Sequence, residues 1–402
     1  MEASWVFTGA GLVTAAGDTP QALFAALAAG SPRAAVHPET GFPVAAFESF
    51  DAKTYLKRKG VKDLSRTSQL ACAAAAGNAA GIAGVPVEEV GVVLGSAWGS
   101  LTTVVSFERE AFVQGPRFVD PILFTETVAN VPAGQVAIFF GWSAFNATVS
   151  AGSASGLAGV LRALDFLVEG RGTIAVAGGA DELNLPLLRS LHARQLLAPG
   201  LGCLPLSASL TGPIGGEGAC FLTLESDEHA RARAASPMAR IRSSAARFAA
   251  SRATPAHSTR ASLAELLREL LVRAEIESRD VDLLVLSAAG RPVGDADEGG
   301  AVLDVFGAAP DAPLVVAPKG VLGESWGASG PLAIVIAIEA LRTETVPGAP
   351  LGFVAARGLE GLRVPSATCP CKIRNAIVVD RSDAGHQFGI VLSAVERRDE
   401  RE

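Results

Sequence analysis

The sequence predicts an α/β protein with mostly buried strands, on three observations. Short apolar runs bounded by glycine alternate with helical stretches along all 402 residues. Apolar residues make up 49% of the chain against 19% charged, enough to fill one large continuous core. The 43 glycines suit strands and helices that pack closely. Mean hydropathy is +0.34, yet no apolar run nears the roughly 20 residues that span a bilayer. The apolar surplus is therefore assigned to buried parallel strands or a protein interface.

In chain order, residues 5–9 form the first strand, running from Trp5 into Gly9, and residues 20–29 a helix that opens on Pro20. Further strands fall at 90–94, 147–150, 173–177 and 220–224. A second series follows at 240–241, 283–286, 314–316, 376–379 and 389–392. Each half carries a strand, a glycine-rich turn and a long Ala/Leu helix, and the polar stretch 227–237 joins them, which divides the chain into residues 1–237 and 238–402. Helices of the second half are expected at 262–275, where Ser262 and Glu265 have the spacing of a capping box, and at 332–341. The charged tail 396–402 reads as a solvated end.

Composition excludes several functions. Lys and Arg total 34 against 41 Asp and Glu, a net charge of -7, and the cations are scattered apart from Lys57-Arg58-Lys59, so nucleic acid is not an expected partner. The five cysteines form no CxxC pair and the first residues lack the regions of a signal peptide, so a cytoplasmic protein is expected. Cys369-Pro370-Cys371 has the wrong spacing for zinc. Gly9-Ala10-Gly11 is not a dinucleotide loop and reads as a turn. No cofactor and no metal are expected.

One segment carries chemistry. Residues 148–157 pass from strand to helix through small residues and place Ser153 at the turn. A nucleophile elbow is built this way, because small neighbours tolerate the tight backbone and the helix N-terminus favours negative charge. A tight turn capped by Ser153 or Ser155 has the same pattern.

Several ordered motifs resemble the β-ketoacyl synthases of the thiolase fold over nearly the whole chain. They are Val6 to Thr14, Ala177-Gly178-Gly179-Ala180-Asp181-Glu182, Gly215-Gly216-Glu217-Gly218-Ala219, and Lys319-Gly320 through Gly323 followed by Gly327-Ala328-Ser329-Gly330. The resemblance implies two duplicated α/β halves in an αβαβα arrangement that dimerise through a strand of the first half. Active members attack an acyl thioester with an elbow cysteine and use two histidines to decarboxylate malonyl carrier protein and stabilise the enolate.

This chain departs from that set position by position. Ser153 stands at the cysteine, Ala289 at the first histidine and Glu324 at the second, where a carboxylate repels a developing enolate. Residues 291–295 rejoin the family pattern about two residues short, so the loop before them is trimmed. Asp383 stands at the phenylalanine that gates the nucleophile, and Lys319 alone matches, as a partner for Glu324 or Glu217. None of His37, His192, His229, His257 and His386 falls in a catalytic position.

Such a chain resembles the chain length factor, or KS-β subunit, of a heterodimeric type II synthase, although Ser153 stands where glutamine is usual in aromatic polyketide factors. That departure brings in the related factors of aryl polyene, other polyene or fatty-acid-like synthesis. The resemblance implies an active ketosynthase partner, an acyl carrier protein reached through the complex, and a tunnel floor whose bulk limits the product. Phe124, Thr125, Thr127 and Val128 are the candidate gate, with Phe112 outside them. The alternative is a serine-dependent acyltransferase or hydrolase that uses Ser153 with Glu324 as base.

Overall fold

The computed structural model describes residues 4–47, 49–209, 212–249 and 257–395. The tail at 396–402 lies outside them. Ten strands build the main sheet: β1 (Trp5–Thr14), β2 (Val90–Gly95), β3 (Asn146–Val149), β4 (Ile174–Asp181), β5 (Gly218–Ser226), β6 (Ala239–Phe248), β7 (Leu283–Val285), β8 (Leu314–Val316), β9 (Asn375–Arg381) and β10 (His386–Ser393). Their spatial order is β8-β7-β9-β10-β6-β1-β5-β4-β2-β3. Counted within its own half, each set runs third, second, fourth, fifth, first. In both halves the first three in that order are mutually parallel, and the fifth runs antiparallel to its two neighbours, the fourth and the first. The halves meet where β1 pairs antiparallel with β6, Trp5 opposite Ile241.

Period-two alternation distributes the strand side chains between layers. Val93, Ala175 and Ala177 of the first half join Leu283, Val285, Ala376 and Val378 of the second in one central core. Their neighbours Val92, Leu94, Ile174 and Val176 face an outer core with the helices Arg66–Ala79 and Val131–Phe140, whereas Leu284, Val315, Ile377 and Val379 face another with the helix His257–Ala274. The helices Ser155–Val168 and Ser329–Thr343 fill the centre. Ser329–Thr343 is buried on every side from Ser329 to Leu341, as an all-round apolar helix must be. The layers are thus αβαβα, as the resemblance implied. Among the described residues no helix is long and apolar enough to cross a membrane.

Three local expectations are corrected. Gly9-Ala10-Gly11 is not a turn, because β1 runs straight through it to Thr14. The glycine serves close packing instead: a Cβ on Gly11 would lie 2.1 Å from the carbonyl oxygen of Ala74 in the adjacent helix. Gly11→Ala is expected to cost ~1–3 kcal/mol by overpacking, measured by urea denaturation. A cost below ~0.5 kcal/mol would place no constraint on this contact. Ser262 is no N-cap, since its helix begins at His257 and its hydroxyl donates to the buried Gln387, 2.8 Å away. The polar join contains a helix of its own, Asp227–Ala232, capped by Ser226 and tied down where Asp227 meets Arg231 and Arg240.

The two sheet edges differ. β8 is covered at its outer side, where Val315 donates to the carbonyl of Arg363. The far side of β3 pairs with no strand among the described residues, which leaves an open edge.

Candidate functional site

Strand β3 delivers the chain to the elbow. Gly152 has φ +64°, a left-handed turn that glycine adopts without strain. Ser155 fixes this turn, accepting from the backbone N–H of Ala151 at 2.8 Å and donating to the carbonyl of Gly152 at 2.6 Å, and the central helix starts there. Ser153 follows the turn at half-buried depth. Its hydroxyl donates to the backbone carbonyl of Arg381, 3.0 Å away. No hydrogen bond joins Ser153 to Lys319 or Glu324, so the hydroxyl proton points at a carbonyl and not at a base that could remove it.

Asp181, in the glycine-rich motif at the end of β4, holds the loop beside the elbow. It accepts from the Ser96 hydroxyl and from the backbone N–H groups of Ala97, Trp98 and Gly327 at 2.6–3.0 Å. Burial nonetheless pushes its pKa up to about 6 against these four donors. Glu217 of the other glycine motif takes a bidentate guanidinium from Arg66 and the N–H of Phe47. It therefore does not serve Lys319.

The trimmed loop is rebuilt around one carboxylate. Asp295 accepts from the N–H groups of Ala289, Gly290, Arg291 and Leu206, at 2.8–3.2 Å, so the turn that carries Ala289 closes on itself. Ala289 is buried and presents only a methyl group. Glu324, also buried, accepts from Lys319 Nζ at 2.8 Å on Oε2, and from the Trp326 N–H and the Ser329 hydroxyl at 3.0 Å on Oε1. Burial disfavours the Lys319 charge, but the surrounding carboxylates of Glu324, Asp380 and Glu298 leave its pKa raised.

Behind the elbow lies a buried set of charges. Glu298 accepts from the Ser287 N–H at 2.8 Å and faces Arg381 Nε at 3.4 Å, and burial raises its pKa. Asp380 is 1% exposed, and neither of its oxygens has a hydrogen-bond partner. Burial, with Glu324 and Glu298 nearby, pushes it up to about 8 despite Lys319. Asp380 thus sits among Lys319, Arg381, Glu324 and Glu298, and burial there favours its neutral form. Asp383 lies in the turn between β9 and β10 and pairs with Arg291.

A cavity of about 440 Å³ opens beside this turn. Its lining includes Arg291, Asp297, Arg381 and Asp383 together with the apolar Leu196 and Val293. Ser153, Ala289, Lys319 and Glu324 do not line it. The structure thus joins Lys319 to Glu324 and Ser153 to the strand that carries Asp380, but assembles no nucleophile–base pair.

The histidines are placed elsewhere. His192 stacks on Phe42 at 3.9 Å between ring centroids, His229 meets buried Glu225 at 2.7 Å, and His386 lies between Phe248 and Phe388. His37 accepts from the Glu39 N–H at 3.3 Å, and the side chain of His257 lies outside what is described. Phe124 and Thr125 end a short helix, Pro121–Thr125, and Thr127 and Val128 follow it. The Thr125 hydroxyl donates to the Ile122 carbonyl and that of Thr127 to the Phe124 carbonyl, while Phe124 and Val128 are exposed. Sequence reasoning missed Asp380, Arg381 and Glu298. A signal was present, since Asp380-Arg381 interrupts the apolar run of β9 at a position that must be buried.

Residues 6–230 match the family model of the beta-ketoacyl synthase N-terminal domain and residues 238–350 that of the C-terminal domain. The 3-oxoacyl-(acyl-carrier-protein) synthase 2 of Vibrio cholerae is 26% identical, over 85% of this chain and 87% of the relative. The "Putative polyketide beta-ketoacyl synthase 2" of Streptomyces halstedii is 29% identical, over 69% and 67%. Among solved structures, the ishigamide ketosynthase/chain length factor has a TM-score of 0.88 at 24% identity, over 98% of this chain and 100% of that one. AntDE:AntF, a type II PKS acyl-carrier protein in complex with its ketosynthase, gives 0.87 at 20%, over 98% and 100%. At these identities the two structures speak for the fold alone.

Proposed function

The chain belongs to the beta-ketoacyl synthase family, and on that premise we propose that it is a non-catalytic chain length factor subunit of a heterodimeric type II ketosynthase in polyketide, aryl polyene or related synthesis. The observation that carries this reading is the Lys319–Glu324 ion pair. Where the family's second histidine would donate to an enolate, this chain holds a carboxylate whose two oxygens accept from Lys319, Trp326 and Ser329. With Ser153 lacking a base and the Ala289 side chain lacking a polar atom, neither acyl transfer nor decarboxylation has its groups. The same geometry speaks against the serine-dependent alternative, since Ser153 donates to a carbonyl and has no base beside it.

A partner is supported by surface chemistry. Besides the open edge of β3, the stretch 112–124 carries Phe112, Phe118, Ile122 and Phe124 at 86%, 70%, 69% and 58% exposure. Isolated exposed apolar residues are ordinary, but several exposed aromatic ones in one stretch, together with an unpaired strand edge, suit an interface. The active ketosynthase would pair here, in the cytoplasm, with the halves 1–237 and 238–402 forming one body and the carrier protein serving the partner's site. Phe124, Thr125, Thr127 and Val128 would then form the floor of the partner's tunnel.

The purified chain alone is expected to show no acyl transfer from carrier protein and no decarboxylation of malonyl carrier protein, and to co-purify with a cysteine-bearing homologue when both are expressed. A stable, active homodimer would overturn the reading. In the complex, Thr125→Trp or Thr127→Trp is expected to shorten the products. Unchanged product length removes the gate assignment and leaves the pairing intact.

A further inference from the structure

The turn between β9 and β10 covers the elbow and is held at three points. Inside, the Arg381 carbonyl accepts the Ser153 hydroxyl at 3.0 Å. Below, the Arg381 guanidinium runs past Gly294, where a Cβ would lie 2.0 Å from it, to Glu298. Outside, Asp383 at the tip of the turn pairs with Arg291 at the start of the helix Pro292–Phe306. Ser382, between these anchors, packs on the elbow: its Cβ lies 3.0 Å from the Cβ position of Gly152, and its hydroxyl is buried without a partner. The 440 Å³ cavity stops at this wall, with Ser382, Asp383 and Arg291 in its lining and Ser153 behind it.

We propose that Arg291 and Asp383 latch the β9–β10 turn over the elbow, so that the outer cavity is a dead end and Ser153 is closed to an acyl thioester or any reagent of that size. The turn cannot swing outward while both ends of the pair hold. Arg291 is itself fixed, because its backbone N–H is one of the four that Asp295 gathers. Asp383 faces Arg291 from the helix start and Arg381 from β9, at 4.0 Å, so both cations pull the tip toward the cavity wall. The latch would hold equally if the chain were only a scaffold for its partner, because it concerns access to the elbow and not product length.

A thiol at position 153 reports the latch. In the full chain carrying Ser153→Cys, alkylation by iodoacetamide is followed at that residue by peptide mass spectrometry, which separates it from Cys369 and Cys371, the partly exposed native thiols. Labelling is expected to be much slower than in the same chain unfolded in urea. Adding Arg291→Gln and Asp383→Asn is expected to speed it roughly fivefold, as loss of a partly exposed ion pair allows, and the exchanged pair Arg291→Asp with Asp383→Arg to slow it again. Thermal unfolding of each variant confirms that the fold is kept. Labelling of Ser153→Cys as fast in the folded chain as in urea overturns the proposal, as does a rate that a folded Arg291→Gln/Asp383→Asn variant leaves unchanged.

Discussion

Lys319→Ala is expected to destabilise the protein by ~3–5 kcal/mol, read as a fall in the urea midpoint, because it strands the Glu324 carboxylate in the core. The side chains of Lys319 and Glu324 are only 6% and 5% exposed and meet at 2.8 Å. Removing one charge leaves the desolvation cost of the other without its Coulombic return. The double replacement Lys319→Met with Glu324→Leu is expected to cost far less than the single one, since it removes both charges and keeps apolar volume. If the double variant is as unstable as Lys319→Ala, the two side chains are not coupled, and the claim that this pair replaces a catalytic histidine with structure loses its basis. The alanine variant alone does not test function, because an unstable subunit also fails to assemble.

Asp380→Asn is expected to stabilise the protein at alkaline pH by at least ~2 kcal/mol and to flatten its pH dependence. The sign follows from the direction of the shift. Burial raises the Asp380 carboxyl from the ordinary 3.8 to about 8, so between these values the folded chain holds a proton that the unfolded chain has released. Stability then falls as pH rises through that window, by up to about 1.4 kcal/mol per unit. Asparagine cannot ionise and removes this dependence. Asp181, raised to about 6 by burial, adds a slope of the same sign below that pH, so the variant retains part of the trend. Urea denaturation at pH 5.5 and pH 8.5 makes the comparison. A variant no more stable than the parent at pH 8.5 would mean that water or a rearranged Lys319 solvates the Asp380 carboxylate.

Most strands were legible because burial on both faces leaves short apolar runs that no surface helix would show, whereas β3 and β6 are only partly buried. The strand ends were not legible. β1 continues through Gly9-Ala10-Gly11 since the glycines answer to the helix carrying Ala74 and not to a local turn. The helix His257–Ala274 starts before Ser262 because the hydroxyl there has a partner on β10, which spacing along the chain cannot reveal. At the site, the expectation that Ser153, Ala289 and Glu324 stand at the family's catalytic positions needed only motifs along the chain. Of two partners open to Lys319, Glu324 won, because Arg66 from a distant helix already occupies Glu217.

By itself the sequence determined the fold class and the family, and it set the expectation that Ser153, Ala289 and Glu324 stand at the family's catalytic positions, since each depends on which residue type stands in a local pattern. Only the tertiary structure decided how the residues around the elbow are partnered. The bond from Ser153 to Arg381 spans 228 positions, and the pairs of Arg291 with Asp383 and of Glu298 with Arg381 join separate elements of the second half. Groups this far apart in sequence acquire partners only when folding brings their elements together, and the burial that comes with it pushes the Asp380 carboxyl toward its neutral form.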